Sequence, residues 1–85
     1  MKKEKLINCQ KWLSKKLKIK FTNKNIKKDY LNEKLIDSLN FLNFIFSIQE
    51  KFKIKFNNNH FNKRNYRNIE GLSKLIINLK NEKKN

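Results

Sequence analysis

The chain has 85 residues, 38% of them hydrophobic, enough for one modest core and not for two. Its 22 Lys+Arg against 7 Asp+Glu give a formal charge of +15, and Lys, Asn, Ile and Phe number 20, 15, 10 and 7. A lone cysteine, Cys9, excludes an internal disulfide framework and a multi-thiolate metal site, and no apolar run exceeds the three residues of Phe44-Ile45-Phe46, which excludes a membrane-spanning helix.

The four abundant residues have codons built almost wholly from A and T, so part of the positive charge reads as compositional drift in an AT-rich genome. The opening MKKEKLINCQKWL has no uninterrupted apolar stretch of the signal-peptide kind, and the expectation is a cytoplasmic protein. Leu6, Cys9, Leu13 and Leu17 recur at spacings of 3, 4 and 4 and predict an amphipathic helix over about 3 to 18, with Cys9 as a small apolar residue and Trp12 at the core edge. Residues 18 to 36 show no period, only isolated anchors (Ile19, Phe21, Ile26, Tyr30, Leu31), and read as a long pinned loop.

Ser38 to Phe52 carries the strongest helical signal, with Asp37 or Ser38 available as N-cap. At 100° per residue its polar positions Asn40, Asn43, Ser47, Glu50 and Lys51 share an arc of about 100°. The rest is apolar, so this helix is expected to be central and enclosed on several sides. Leu39, Leu42, Ile45, Phe46 and Phe52 are expected to hold it against Leu13, Leu17, Leu72 and Ile76. Residues 53 to 67 are polar and Asn-rich, with a turn or two of helix expected near 58 to 63. Asn68 caps a last helix striped by Ile69, Leu72, Leu75, Ile76 and Leu79. Gly71 in its first turn costs about 1 kcal/mol of propensity against Ala. No Pro and no alternating pattern occur, so the class is all-α: a small four-helix bundle of three main helices and one short one, a single domain over 1–80 with 81–85 as a frayed basic tail.

The order of these elements, with Leu35-Ile36-Asp37-Ser38-Leu39 opening the second main helix, then FLNFIFSIQEKFKIKF and Tyr66 to Leu72, resembles the acyl carrier proteins. The likeness covers residues 31 to 79 well and the first helix by pattern. It implies that Ser38 accepts 4′-phosphopantetheine from coenzyme A through a phosphopantetheinyl transferase. It also implies delivery of an acyl group, held as a thioester, to acyl-activating, acyltransferase or synthase enzymes. Ser38 is the cofactor-attachment residue in this reading, and Asp37, Leu39, Asn40, Asn43 and Glu50 are the partner-recognition residues. The bundle interior would shelter the cargo, with Phe41, Phe44 and Phe46 keeping that space small and the cargo short or polar. A serine at a helix start stands beside unpaired N–H groups and the positive end of the dipole, which suits a phosphodiester.

Three features depart from the family pattern. Lys34 stands where the family often has Gly, the second main helix keeps only Glu50 of the usual run of carboxylates, and the total charge has the opposite sign. Charge counted by region softens the last point. Residues 29 to 50 hold Asp29, Glu33, Asp37 and Glu50 against Lys34, leaving −3, while the remaining 21 basic and 3 acidic residues leave +18.

The alternative is a small basic helical nucleic-acid-binding protein, using Lys/Arg clusters at 15 to 28 and 63 to 67 with Phe21, Phe61 and Tyr66 for stacking. No helix-turn-helix spacing or zinc-ligand set accompanies them, so no specific nucleic acid is expected. A membrane-surface role for the basic first helix ranks lower, because its apolar stripe is the one a bundle core needs. An enzyme is not expected: His60 is the one histidine, and neither a nucleophile–base pair, a metal-ligand set nor a glycine-rich loop is present. A monomer is the expected state.

Overall fold

The computed structural model describes residues 2–61 and 64–83, with side chains described within 4–61 and 65–81. Helix α1 spans Lys2–Leu17, α2 Asn23–Ile26, α3 Ser38–Phe52 and α4 Ile69–Lys83, with single 3-10 turns at Asn58–Phe61 and Arg64–Arg67. No strand occurs among the described residues, and the architecture is a small all-helical bundle. Its radius of gyration of 12.1 Å is that of one compact domain of this length, about 12 Å.

The α1 stripe packs as its spacing requires, burying Cys9, Leu13 and Leu17 against Ile69, Leu72 and Ile76 of α4. Two polar residues go in with it. Gln10 Nε2 donates to Ser73 Oγ at 3.2 Å, and that hydroxyl donates to Glu70 O at 2.8 Å. This chain of bonds ties α1 to α4 through the core, where an unpaired amide would be costly. Cys9, as expected, is a buried small residue; burial pushes its thiol pKa up to about 12, with Lys80 acting weakly the other way. Trp12 is half-buried and meets the Phe52 ring edge-on at 5.4 Å.

The connecting loop contains a helix the sequence did not announce. Thr22 caps α2, its Oγ1 accepting from Asn25 N–H at 3.0 Å. Four residues are too few for a periodic signal, and the stabilising event is tertiary, the burial of Ile26. The anchors mostly behave as expected: Ile26 and Tyr30 are buried, Ile19 and Leu31 half-buried, while Phe21 stays exposed. Tyr30 is the keystone of the loop. Its hydroxyl donates to Tyr66 O, its N–H donates to Arg67 O at 3.0 Å, and burial raises its pKa. Beside it, Arg67 Nε donates to Asp29 Oδ2 at 2.8 Å, and Asp29 Oδ1 accepts from the N–H groups of Leu31 and Asn32. Desolvation alone would raise the Asp29 pKa, but the hydrogen bonds from Asn32 N–H and Arg67, the guanidinium charge and Leu31 N–H outweigh it, and the carboxyl lies below the usual range. The turn before α3 closes with Lys34 in the left-handed region, φ 58°, and Leu35 N–H bonded to Tyr30 O at 2.9 Å. Lysine adopts that φ here at a conformational cost.

Helix α3 corrects the expectation of an enclosed central helix. Phe44, Ile45 and Ile48 are buried and Phe41 and Phe52 half-buried, but Leu39, Leu42 and Phe46 are 73%, 55% and 60% exposed. Leu39, Leu42 and Phe46 therefore do not hold α3 against Leu13, Leu17, Leu72 and Ile76; the side chains that turn inward are Phe44, Ile45 and Ile48. The physical reason is size. The core lies on one side of α3, and among the described residues no further element covers the opposite side. Large rings span the distance: Tyr30 stands against Phe41 and Phe44 at 6.1 and 6.0 Å, and Phe41 meets Phe61 and Tyr66 at 6.5 and 5.9 Å. Lys53, also left-handed, ends the helix.

Asn68 caps α4 as expected, its Oδ1 accepting from Gly71 N–H at 2.7 Å. The 3-10 turn at Asn58–Phe61 falls where a turn or two was expected, near 58 to 63, and the one at Arg64–Arg67 lies beyond that stretch, while 62 and 63 lie outside the described residues. Helix α4 runs to Lys83, past the end at Lys80 that the sequence suggested. Of the expected frayed tail, residues 84 and 85 lie outside the described ones.

Candidate functional site

The start of α3 is fixed by its cap. Asp37 keeps an extended backbone (φ −87°, ψ 172°), its Oδ1 accepts from Asn40 N–H at 2.8 Å and its Oδ2 from Asn40 Nδ2 at 3.3 Å. Asp37, and not Ser38, is thus the N-cap. That division of labour leaves the Ser38 hydroxyl exposed and, among the described residues, without a hydrogen-bond partner. A hydroxyl accessible in the first turn, beside N–H groups without intrahelical partners, has the geometry a covalent phosphodiester needs.

Around Ser38 the helix wheel separates two flanks. Counting about 100° per residue from Ser38, Leu42, Phe46, Leu39, Glu50 and Asn43 follow at about 40°, 80°, 100°, 120° and 140°, with Asn40 at about 200°. All of these are exposed. Leu39 and Glu50 thus belong to the surface that begins at Ser38, Asn43 stands at its edge, and Asp37 faces the other flank with Asn40, which supports it. The expected partner-recognition set omitted the two residues that dominate this surface, Leu42 and Phe46. Their signal was available: Leu39, Leu42 and Phe46 form an i, i+3, i+7 row opposite Phe44, Ile45 and Ile48, on a helix too apolar for so small a bundle to surround. Leu35, 38% exposed, extends the apolar character past the N-terminus of the helix.

The regional charge count does not survive folding unchanged. Of its four carboxylates, Asp29 is paired with Arg67 and Asp37 is occupied with the cap, which leaves Glu33 and Glu50. On the far flank Lys16, Lys18 and Lys34 come beside Asp37. The site is therefore an apolar row with one carboxylate, bordered by lysines, and not an acidic patch.

The interior is filled by side chains, chiefly Tyr30, Leu13, Ile48, Ile69, Leu72 and Ile76. Phe41 and Phe44 contribute to that filling, whereas Phe46, expected to restrict the interior, stands outside it. A depression of about 480 Å³ lies between α1, α4 and the end of α3, with Cys9, Trp12, Phe52 and Ile77 in its lining.

Residues singled out for other roles have structural employment. His60 closes a turn, its Nδ1 accepting from Asn57 N–H at 2.9 Å. Phe61 and Tyr66, the stacking residues of the nucleic-acid alternative, are half-buried and meet each other edge-on at 5.0 Å. Phe21 is exposed with Lys11 Nζ 5.9 Å from its ring centre; residue 63 and the side chain of residue 64, from the second basic cluster, lie outside the described ones. No described helix is long and apolar enough to cross a membrane. Comparison with protein-family models, with curated proteins and with solved structures finds no match in any of the three.

Proposed function

We propose that the chain is an acyl carrier protein, modified on Ser38 and read by partner enzymes through the exposed row on α3. The observation that carries this reading is the conjunction on one helix of a free, exposed serine hydroxyl at its start and an uncovered apolar row, Leu39, Leu42 and Phe46, beside it. A folded monomer of this size gains nothing from exposing two leucines and a phenylalanine in line, whereas a surface that docks on several enzymes in turn needs such a row. When attached, 4′-phosphopantetheine supplies a flexible thiol that carries an acyl group as a thioester.

The chain's own residues then have distinct tasks. Ser38 Oγ is the acceptor atom. Asp37 secures the first turn, so the hydroxyl has a fixed position relative to the docking row. Leu39, Leu42 and Phe46 bury apolar area on the partner, and Glu50 and Asn43 supply polar contacts at the edge. The carrier makes and breaks no bonds itself; a phosphopantetheinyl transferase and the acyl-activating, acyltransferase or synthase enzymes do so.

The test is intact mass after incubation with coenzyme A and a broad-specificity phosphopantetheinyl transferase, beside Ser38→Ala, with circular dichroism showing both chains helical. One added phosphopantetheine on the parent and none on the variant is the expected result. No addition on the folded parent with transferases from several families would overturn the reading.

A further inference from the structure

On the flank of α3 away from the apolar row, a groove of about 540 Å³ runs between the helix, the end of α1 and the turn leading to Asp37. Three lysines line it, Lys16 and Lys18 from the end of α1 and Lys34 from the turn, against a polar wall of Asn40, Asn43 and Ser47. Asp37 is its single carboxylate, and both of its oxygens already accept hydrogen bonds from Asn40. Among the described residues the one salt bridge is that of Asp29 with Arg67, so none of the three lysines is ion-paired there. The Lys16 ammonium lies 5.2 Å from the Trp12 ring centre.

Lys16 therefore contributes its stem to the wall and its charge only from the side, while Lys18 and Lys34 line the same concavity; like charges there raise the free energy of the empty groove and lower that of an anion inside it. Two of the lysines also hold their positions against backbone preference. Lys18 and Lys34 have φ of 59° and 58°, in the region that favours glycine and, after it, asparagine.

We propose that this groove binds a phosphorylated small molecule, with Lys18 and Lys34 at its phosphate oxygens and Lys16 adding charge from the side. A phosphate or diphosphate spreads its charge over several oxygens and engages several ammonium groups together, which a lone carboxylate does less well. Lysine, a mobile point charge on a flexible stem, suits that loosely directional task. The volume falls in the range of small-ligand sites, about 300–1,000 Å³. The inference stands on the groove itself and does not depend on the carrier reading.

Calorimetric titration of the Ser38→Ala chain, which cannot be loaded, tests it at about 0.15 M salt with inorganic pyrophosphate and, separately, coenzyme A. Saturable one-to-one binding is expected. Equal affinity for the two would place recognition in the phosphates alone, and tighter coenzyme A binding would add the nucleotide; both support the groove. Lys34→Gly and Lys18→Asn suit the left-handed backbone, so each folds at least as well as the parent while weakening binding about tenfold. Lys55→Met, which removes the same charge beyond the far end of α3, should leave affinity within about twofold. Absence of saturation would overturn the proposal, and so would equal weakening by Lys55→Met and Lys34→Gly, the mark of diffuse attraction to a +15 surface.

Discussion

Gly71→Ala separates what helix propensity says from what packing says. In the first turn of a helix, replacing Gly by Ala is worth about 1 kcal/mol in favour of Ala. Gly71 has no positive φ to justify it. Yet a Cβ built at this position would lie 1.8 Å from Asn65 O and 2.7 Å from Asn65 C, and both are backbone atoms. The Asn65 carbonyl would have to retreat by roughly 1.2 Å to reach even 3.0 Å. It belongs to the Arg64–Arg67 turn, whose neighbouring carbonyls, Tyr66 O and Arg67 O, accept from the Tyr30 hydroxyl and N–H. Displacing that turn sets overpacking, about 1–3 kcal/mol, together with a weakened bond to a buried hydroxyl, about 1–3 kcal/mol, against the propensity gain. The net is a destabilisation of about 1–5 kcal/mol, a melting temperature lower by about 4 °C or more for a domain of this size. Thermal unfolding followed by circular dichroism reads it, and Lys74→Ala, exposed on the same helix and without this contact to Asn65, controls for general sensitivity. An unchanged or raised melting temperature in Gly71→Ala would refute the account of why the chain's single glycine stands there.

Three further outcomes follow from the same packing. Leu42→Gln and Phe46→Gln, both exposed, should change stability by no more than about 0.5 kcal/mol while slowing acyl transfer by a partner enzyme, whereas Ile48→Ala on the same helix should cost about 2–5 kcal/mol; equal melting losses for all three would mean the row is covered. The Asp29 carboxyl has its folded pKa held down, so its stabilisation is present above the unfolded-chain value of about 3.9 and is lost as pH falls through the lower folded value. Denaturation midpoints in that acid range should fall less steeply for Asp29→Asn, and parallel curves would remove the pair from the account. Cys9, buried with its pKa raised to about 12, should resist neutral thiol reagents until denaturant opens the α1–α4 contact; prompt labelling of the native chain would contradict its burial.

Local chemistry made much of this protein legible before any fold was known. The 3- and 4-residue spacings of Leu6, Cys9, Leu13 and Leu17, and of Ile69, Leu72 and Ile76, depend on residues one turn apart and need no knowledge of partners. The caps at Asp37 and Asn68 are equally local, each a side-chain oxygen meeting an N–H three residues on. So the all-helical class, the three long helices and the position of Ser38 at the start of one of them were in the sequence. Glu50 and the apolar character of α3 were visible too, but not which of its apolar residues would face outward.

That choice belongs to the tertiary structure, because burial depends on how many neighbours a helix has. Leu42 and Phe44 are alike to any hydropathy pattern; only the placement of the core on one side of α3 makes one a surface residue and the other a core residue. The same holds for Gly71, whose need is set by Asn65 of a different turn, and for α2, held by burial of Ile26. It holds most strongly for electrostatics. A count along the chain made residues 29 to 50 acidic, but Coulomb energy follows distance in space. Folding pairs Asp29 with Arg67 and carries Lys16 and Lys18 to the side of Asp37, so the charge that meets a ligand or partner there is decided by the fold.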